Sequence, residues 1–302
     1  MWGFVPHSTL DVLAAGEPDL FGRNDRGSSY AGGDWATLCE EDVLPRTPDG
    51  PPPPPAVQKL RIRYAKRGRL RFTSHRDIAR AFERALRRAA VPIAYSAGFT
   101  PHPKVSWMGA APTGMASEAE YVEIGVTRPL EPAELAAALD AALPPGIDVT
   151  AAAVFDAAAG DRPLAEQLDA SRWRMELMDL SADAGQQLLE TFLAAAEVPV
   201  SKLTKSGRKT VDARAAVVRA SAAGAPLERG SGASVAGNGT EYAILDVVVR
   251  HVTPAVRPDD ILTGMCAAAN LSPPSSVRMT RLAQGTLTAA GDLVEPLATD
   301  RG

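Results

Sequence analysis

Apolar and polar positions first settle into a regular pattern at Lys59. From there to Lys66, Leu60, Ile62 and Tyr64 alternate with basic residues, which predicts a strand with one apolar face and one wet, basic face. Ser74 opens a helix, with Asp77 three residues on in the manner of a capping box. Ile78, Ala81, Phe82, Ala85, Leu86 and Ala89 recur at the spacing of one helical face. Arg76, Arg80, Arg84, Arg87 and Arg88 occupy much of the remaining surface. Val91-Pro92 ends the helix, and a Gly/Pro-rich loop at 95–104 leads into strands predicted at 105–111 and 119–126. Pro132 starts a helix whose Leu135, Leu139 and Leu143 face inward, and a strand follows at 147–155. The order β-α-β-β-α-β predicts a ferredoxin-like unit.

The order then partly repeats. A strand at 173–178 precedes a Ser181-capped helix bearing Leu188, Leu189, Phe192 and Leu193. Segments 198–203 and 211–218 are predicted to be extended around a basic turn. A strand at 241–249, a helix at 259–270 and a strand at 276–286 complete the set. The predicted class is α+β, with two ferredoxin-like units in tandem at 57–156 and 157–290. The Gly/Ala/Ser-rich stretch 221–240 is expected to be a flexible insertion. Residues 1–56 are expected to be a disordered acidic tail ending in the stiff Pro51–Pro55 run, and 291–302 a disordered C-terminal tail.

Charge sharpens the division. Residues 1–50 carry nine acids and three bases, whereas 57–110 carry thirteen bases against two acids, Asp77 and Glu83. Such lopsidedness speaks about partners rather than fold. Arg presents a planar fork of donors that suits phosphate, so Arg61, Arg63, Arg71, Arg76, Arg80, Arg84, Arg87 and Arg88 are expected to track an RNA backbone. In the loop Gly98-Phe-Thr-Pro-His102-Pro-Lys104, two prolines fix the backbone around His102, so little entropy remains to be lost on binding. Tyr95 and Phe99 offer stacking surfaces for an unpaired base, with His102 and Lys104 beside them. A second basic segment supplies Lys205, Arg208, Lys209 and Arg214, although charged strands also serve simply to block edge pairing. His75, His102 and Lys104 are the candidates should the chain cut RNA, with the imidazoles as base and acid.

Cys39 and Cys266 are the only cysteines, too few for a disulfide framework or a self-contained Fe–S site. The four histidines are too dispersed in sequence to suggest a metal cluster. No phosphate-cradling loop or dinucleotide fingerprint occurs. The apolar runs are short for a membrane span and no secretory signal is apparent, so the expectation is a cytoplasmic protein with no membrane partner.

Four stretches together resemble the radical SAM-linked domain family of unknown function: Arg69-Leu-Arg-Phe-Thr-Ser-His-Arg-Asp77, Ala81-Phe-Glu-Arg-Ala-Leu-Arg-Arg-Ala89, Tyr95 to Lys104, and Ser117-Glu-Ala-Glu-Tyr121. Thr73 and Arg76 stand where that pattern has Leu, and Trp107 where it has Phe. In that family the domain occurs alone or fused behind a radical SAM module. The resemblance implies a stand-alone form that carries no cofactor and works with a separate enzyme holding the Fe–S cluster and S-adenosylmethionine. The expected function is an RNA-binding, tRNA-directed accessory protein, itself non-catalytic. Two alternatives stand beside it. One is a metal-independent endoribonuclease, favoured by a fold-level likeness to CRISPR repeat-processing enzymes. The other is a protein–protein adaptor that meets no nucleic acid.

Overall fold

A computed structural model describes residues 51–158, 160–204, 207–226 and 241–297. The alternation at Leu60, Ile62 and Tyr64 becomes β1 (Gln58–Lys66), and the helical stripe becomes α1 (His75–Arg88). Ser74 caps α1, its hydroxyl accepting from the Asp77 amide and donating to the Asp77 carboxylate. Ile78, Ala81, Phe82, Ala85 and Leu86 are all buried. They pack on Leu60, Ile62 and Tyr64 of β1 and on Val122 and Ile124 of β3 (Ala116–Val126). Truncating an aromatic at such a site costs about 3–5 kcal/mol, so Phe82 anchors the helix to the sheet. β2 (Val105–Met108), α2 (Pro132–Ala142) and β4 (Ile147–Phe155) complete the first half.

The second half begins with a short α3 (Leu164–Gln167). β5 (Ala170–Ser181) and α4 (Ala182–Ala194) follow. The Ser181 hydroxyl accepts from the Ala184 amide at the start of α4. β6 (Pro199–Thr204) and β7 (Gly207–Asp212) form a separate two-stranded hairpin. The extended stretch expected at 211–218 is broken by α5 (Ala213–Ala216), because the Asp212 carboxylate accepts from the Arg214 amide and turns the chain. β8 (Val217–Pro226), β9 (Glu241–Arg250), α6 (Pro258–Ala268), β10 (Val277–Leu287) and β11 (Leu293–Val294) end the described chain.

The class is mixed α/β, dominated by one large mixed sheet of nine strands. Its main path runs β4-β1-β3-β10-β5-β9-β8, with β2 on β3 and β11 on β10. Every pairing is antiparallel except β3 with β10, which meet in parallel at Ala116–Thr280 and Ser117–Arg281. That seam merges the halves into a single sheet. It is secured by a buried polar cluster in which Arg281 pairs with Glu120 and also donates to Ser117 and Gln284. The Gln284 side chain donates in turn to the Ala119 carbonyl, and Glu120 accepts from the Ala111 amide.

Two sequence expectations change. The stretch expected to be flexible from 221 continues as strand to Pro226, since its small side chains suit an edge position beside β9; residues 227–240 lie outside the described set. The expected C-terminal tail contributes β11, and Glu295 pairs with Arg63. Of the expected N-terminal tail, 1–50 also lies outside the described residues.

Candidate nucleic-acid interface

α1 has two unlike faces. Its apolar stripe points at the sheet, so the remaining positions must face water. His75, Arg76, Arg80, Arg84, Arg87 and Arg88 are all exposed. Arg80 lies 3.5 Å from Asp77, and Arg88 donates to the Ala142 carbonyl. Arg76, Arg84 and Arg87 make no ion pair among the described residues. Just before α1, the Arg71 guanidinium lies 4.6 Å from the centre of the Phe72 ring, which is 60% exposed. His75 meets the Trp107 ring edge-on at 5.4 Å, and Trp107 in turn packs on Phe82.

The proline-rich loop stands next to this helix because its stem is stitched to the end of β3. Ala94 donates to the Gly125 carbonyl, Gly125 to the Lys104 carbonyl, and Lys104 to the Ala94 carbonyl. Ser96 and His102 close the loop from both sides: the Ser96 amide donates to the His102 carbonyl and the His102 amide to the Ser96 hydroxyl at 3.0 Å. Gly98 at the tip has φ +131°, a backbone state that a side chain would strain, and open space surrounds it. Phe99 projects from this tip, 68% exposed.

Two grooves flank the stem and share Pro103 as a wall. One, about 430 Å³, lies against α1: Leu86, Val91, Pro92 and Ile93 supply apolar surface, and Glu83, Arg87 and Tyr95 line it too. The other, about 400 Å³, gathers Lys59, Ser96, His102, Lys104 and Glu123. The arrangement offers guanidinium and ammonium groups for phosphate and exposed rings for bases, in one neighbourhood.

β1 behaves differently from expectation. Arg61 is only 3% exposed; its Nε donates to Glu123 at 2.7 Å, and it also donates to the Arg162 carbonyl. Its guanidinium lies 4.4 Å from the centre of the Phe155 ring. Arg63 is half-buried, paired with Glu295 and bonded to the Glu118 carbonyl. The face expected to be wet is covered by chain from far away in sequence: Leu164, Leu168 and Leu297 pack on Ala119 and Tyr121 of the neighbouring strand. Arg61 and Arg63 are therefore structural and leave the proposed interface. Lys66 is buried as well, its ammonium donating to the Ala111 and Pro112 carbonyls, and burial holds its pKa below the usual lysine value. Arg67 is clamped by Glu118 and Asp148. Its hydrogen bond to Glu118 is the chief cause raising its pKa, against a smaller opposing effect of burial.

A family model described as "Uncharacterized protein conserved in bacteria (DUF2344)" matches residues 59–258. The chain belongs to that family. No curated protein matches it. The DUF2344 match takes in α1, the proline-rich loop and the hairpin, but stops before β10 and Arg281.

In the hairpin of this DUF2344 chain, Arg208 and Lys209 are exposed and Leu203 is 84% exposed. Lys205 lies outside the described residues. Arg214 is half-buried and donates to the Leu193 and Val217 carbonyls, so it closes a turn rather than facing a ligand. Lys202 is likewise committed, to Asp260 and the Ala255 carbonyl. The structure sets His75 on Trp107 and His102 in the groove beyond Pro103; no hydrogen bond or ring contact joins them among the described residues. Within the same set, no group of three or more His, Cys, Asp or Glu is placed to hold a metal ion. No helix there is long and apolar enough to cross a membrane.

Sequence reasoning missed the place of Glu83, counted only as one acid among many bases, and that of Lys59 beside His102. The signal for Glu83 was its helical spacing, one turn before Arg87 on the edge of the apolar stripe.

Proposed function

We propose that this protein binds RNA, tRNA in the first instance, as an accessory to a separate radical SAM enzyme that carries the Fe–S cluster and S-adenosylmethionine. The observation that carries this reading is the α1 face, where Arg76, Arg84 and Arg87 stand exposed with no carboxylate partner among the described residues, and Arg87 lines the groove beside the stem of the 95–104 loop. Arginines free of protein partners can neutralise phosphate, and exposed Tyr95 and Phe99 give unstacked bases a surface. The radical SAM partner rests on the sequence resemblance alone. We also read the two halves as tandem ferredoxin-like units. The four-strand orders β4-β1-β3-β2 and β10-β5-β9-β8 support that, with each half's first strand in the second place. The shared sheet then arises where β10, the edge strand of the second unit, pairs with Ala116 and Ser117 at the start of β3, ahead of the stretch that β2 covers.

Filter binding of the full chain to total tRNA across a salt series tests the reading. Binding should weaken by about tenfold or more between roughly 50 and 200 mM salt, as several phosphate contacts require. Absence of binding, or affinity indifferent to salt, overturns it.

A further inference from the structure

We propose that the groove between α1 and the 91–103 segment accepts one unpaired guanine base of the bound RNA. This rests on the RNA-binding reading and names the nucleotide that the site selects. At about 430 Å³ the groove has room for a single base. Leu86, Val91 and Ile93 give it an apolar lining, and the ring of Tyr95, 39% exposed, gives a flat surface on which a base can stack.

Glu83 decides which base. It lines the groove, exposed, and no ion pair engages it among the described residues, although Arg80 and Arg87 stand three before and four after it on α1. On a surface that meets phosphate, a carboxylate repels what the arginines attract. Its value lies in its two oxygens, which accept hydrogen bonds and donate none. Guanine alone among the four bases presents two adjacent donors, N1–H and N2–H, on its Watson–Crick edge. Adenine and cytosine each place an amino donor next to an acceptor nitrogen, and uracil flanks its one N–H with two carbonyl oxygens. A carboxylate thus pairs twice with guanine and meets a repelling lone pair on each of the others. Arg87, which lines the same groove, is placed to donate to the guanine O6 or to the adjoining phosphate.

The test uses short uridine-rich oligoribonucleotides of one length, differing only in a single central nucleotide, with fluorescence anisotropy on the full chain. The guanine oligonucleotide should bind about tenfold more tightly than the adenine, cytosine or uracil ones, the low end of what a two-bond base contact supplies. Glu83→Gln should bring all four within about twofold of one another, through loss at guanine, with the salt dependence of binding kept. Tyr95→Ala should weaken the guanine oligonucleotide most. Circular dichroism checks that both variants remain folded, as expected for changes at exposed positions. If the four oligonucleotides bind equally tightly, and binding still falls with salt, the guanine assignment is overturned and the RNA-binding reading survives. If neither oligonucleotides nor tRNA bind, both fall.

Discussion

β1 and α1 lie a few residues apart and are both rich in cations, yet they use them in opposite ways. On β1, Arg61, Arg63 and Lys66 turn inward and find Glu123, Glu295 and the 111–112 carbonyls. On α1, the arginines line the side away from the core, and most have no ion-pair partner among the described residues. The difference lies in what covers each element. A helix packed on a sheet buries one stripe and leaves the rest wet, whereas a strand inside a sheet can be covered on both faces. Local charge density therefore says little about availability until the second face of the strand is accounted for.

The comparison breaks most visibly at Arg61. Arg61→Met leaves Glu123 in a site where it has little water to replace its partner, and the loss should be about 3–5 kcal/mol. Urea unfolding reads this loss, and affinity of the remaining folded protein for tRNA should stay unchanged. A drop in affinity at full folding would return Arg61 to the interface. Next comes the helix: Arg80→Glu with Arg84→Glu should weaken tRNA binding about 100-fold, equal to about 2.7 kcal/mol. Stability should move by no more than about 0.5 kcal/mol for each exposed change. Unaltered affinity in filter binding would remove α1 from the proposal.

The subtlest contrast is in pH. Burial lowers the folded-state pKa of Lys66 below its ordinary 10.5. Between the lowered value and 10.5 the unfolded chain binds more protons than the folded one, so the Lys66 contribution grows more favourable as pH rises through that window. The stability difference between Lys66→Met and the native chain should therefore shift in favour of the native chain from neutral pH toward 10.5. Denaturant titrations of both proteins measure it. A difference that does not vary with pH would mean that Lys66 pays no such burial penalty.

Much of the first half was legible because its signals are local. Ser74 before Asp77, and the five-residue stripe from Ile78 to Leu86, place α1 without reference to the rest of the chain. The Pro-His-Pro segment was legible as a constrained loop for the same reason, since proline limits its own backbone and that of its neighbour. What escaped was set by distant chain. The carbonyl of Arg162 and the carboxylate of Glu295 decide the fate of Arg61 and Arg63, and no periodicity near residue 60 announces them. Composition misled at 221–226, where Ala and Gly suggested flexibility but the backbone bonds of β9 hold an edge strand. Arg214 looked like one more surface cation, although its role is fixed by the carbonyls of Leu193 and Val217.

The seam at β3 and β10 bears on how the protein comes to maturity. Glu120 is separated from Arg281 by 161 residues, and in the finished molecule each is nearly sealed from water. While the ribosome is still making the second half, Glu120 has no guanidinium to meet and the start of its strand lacks the pairing that β10 supplies. The first half thus waits, incomplete, until almost the last strand emerges, and a chain truncated before β10 would carry an unmatched acid at the centre of its sheet.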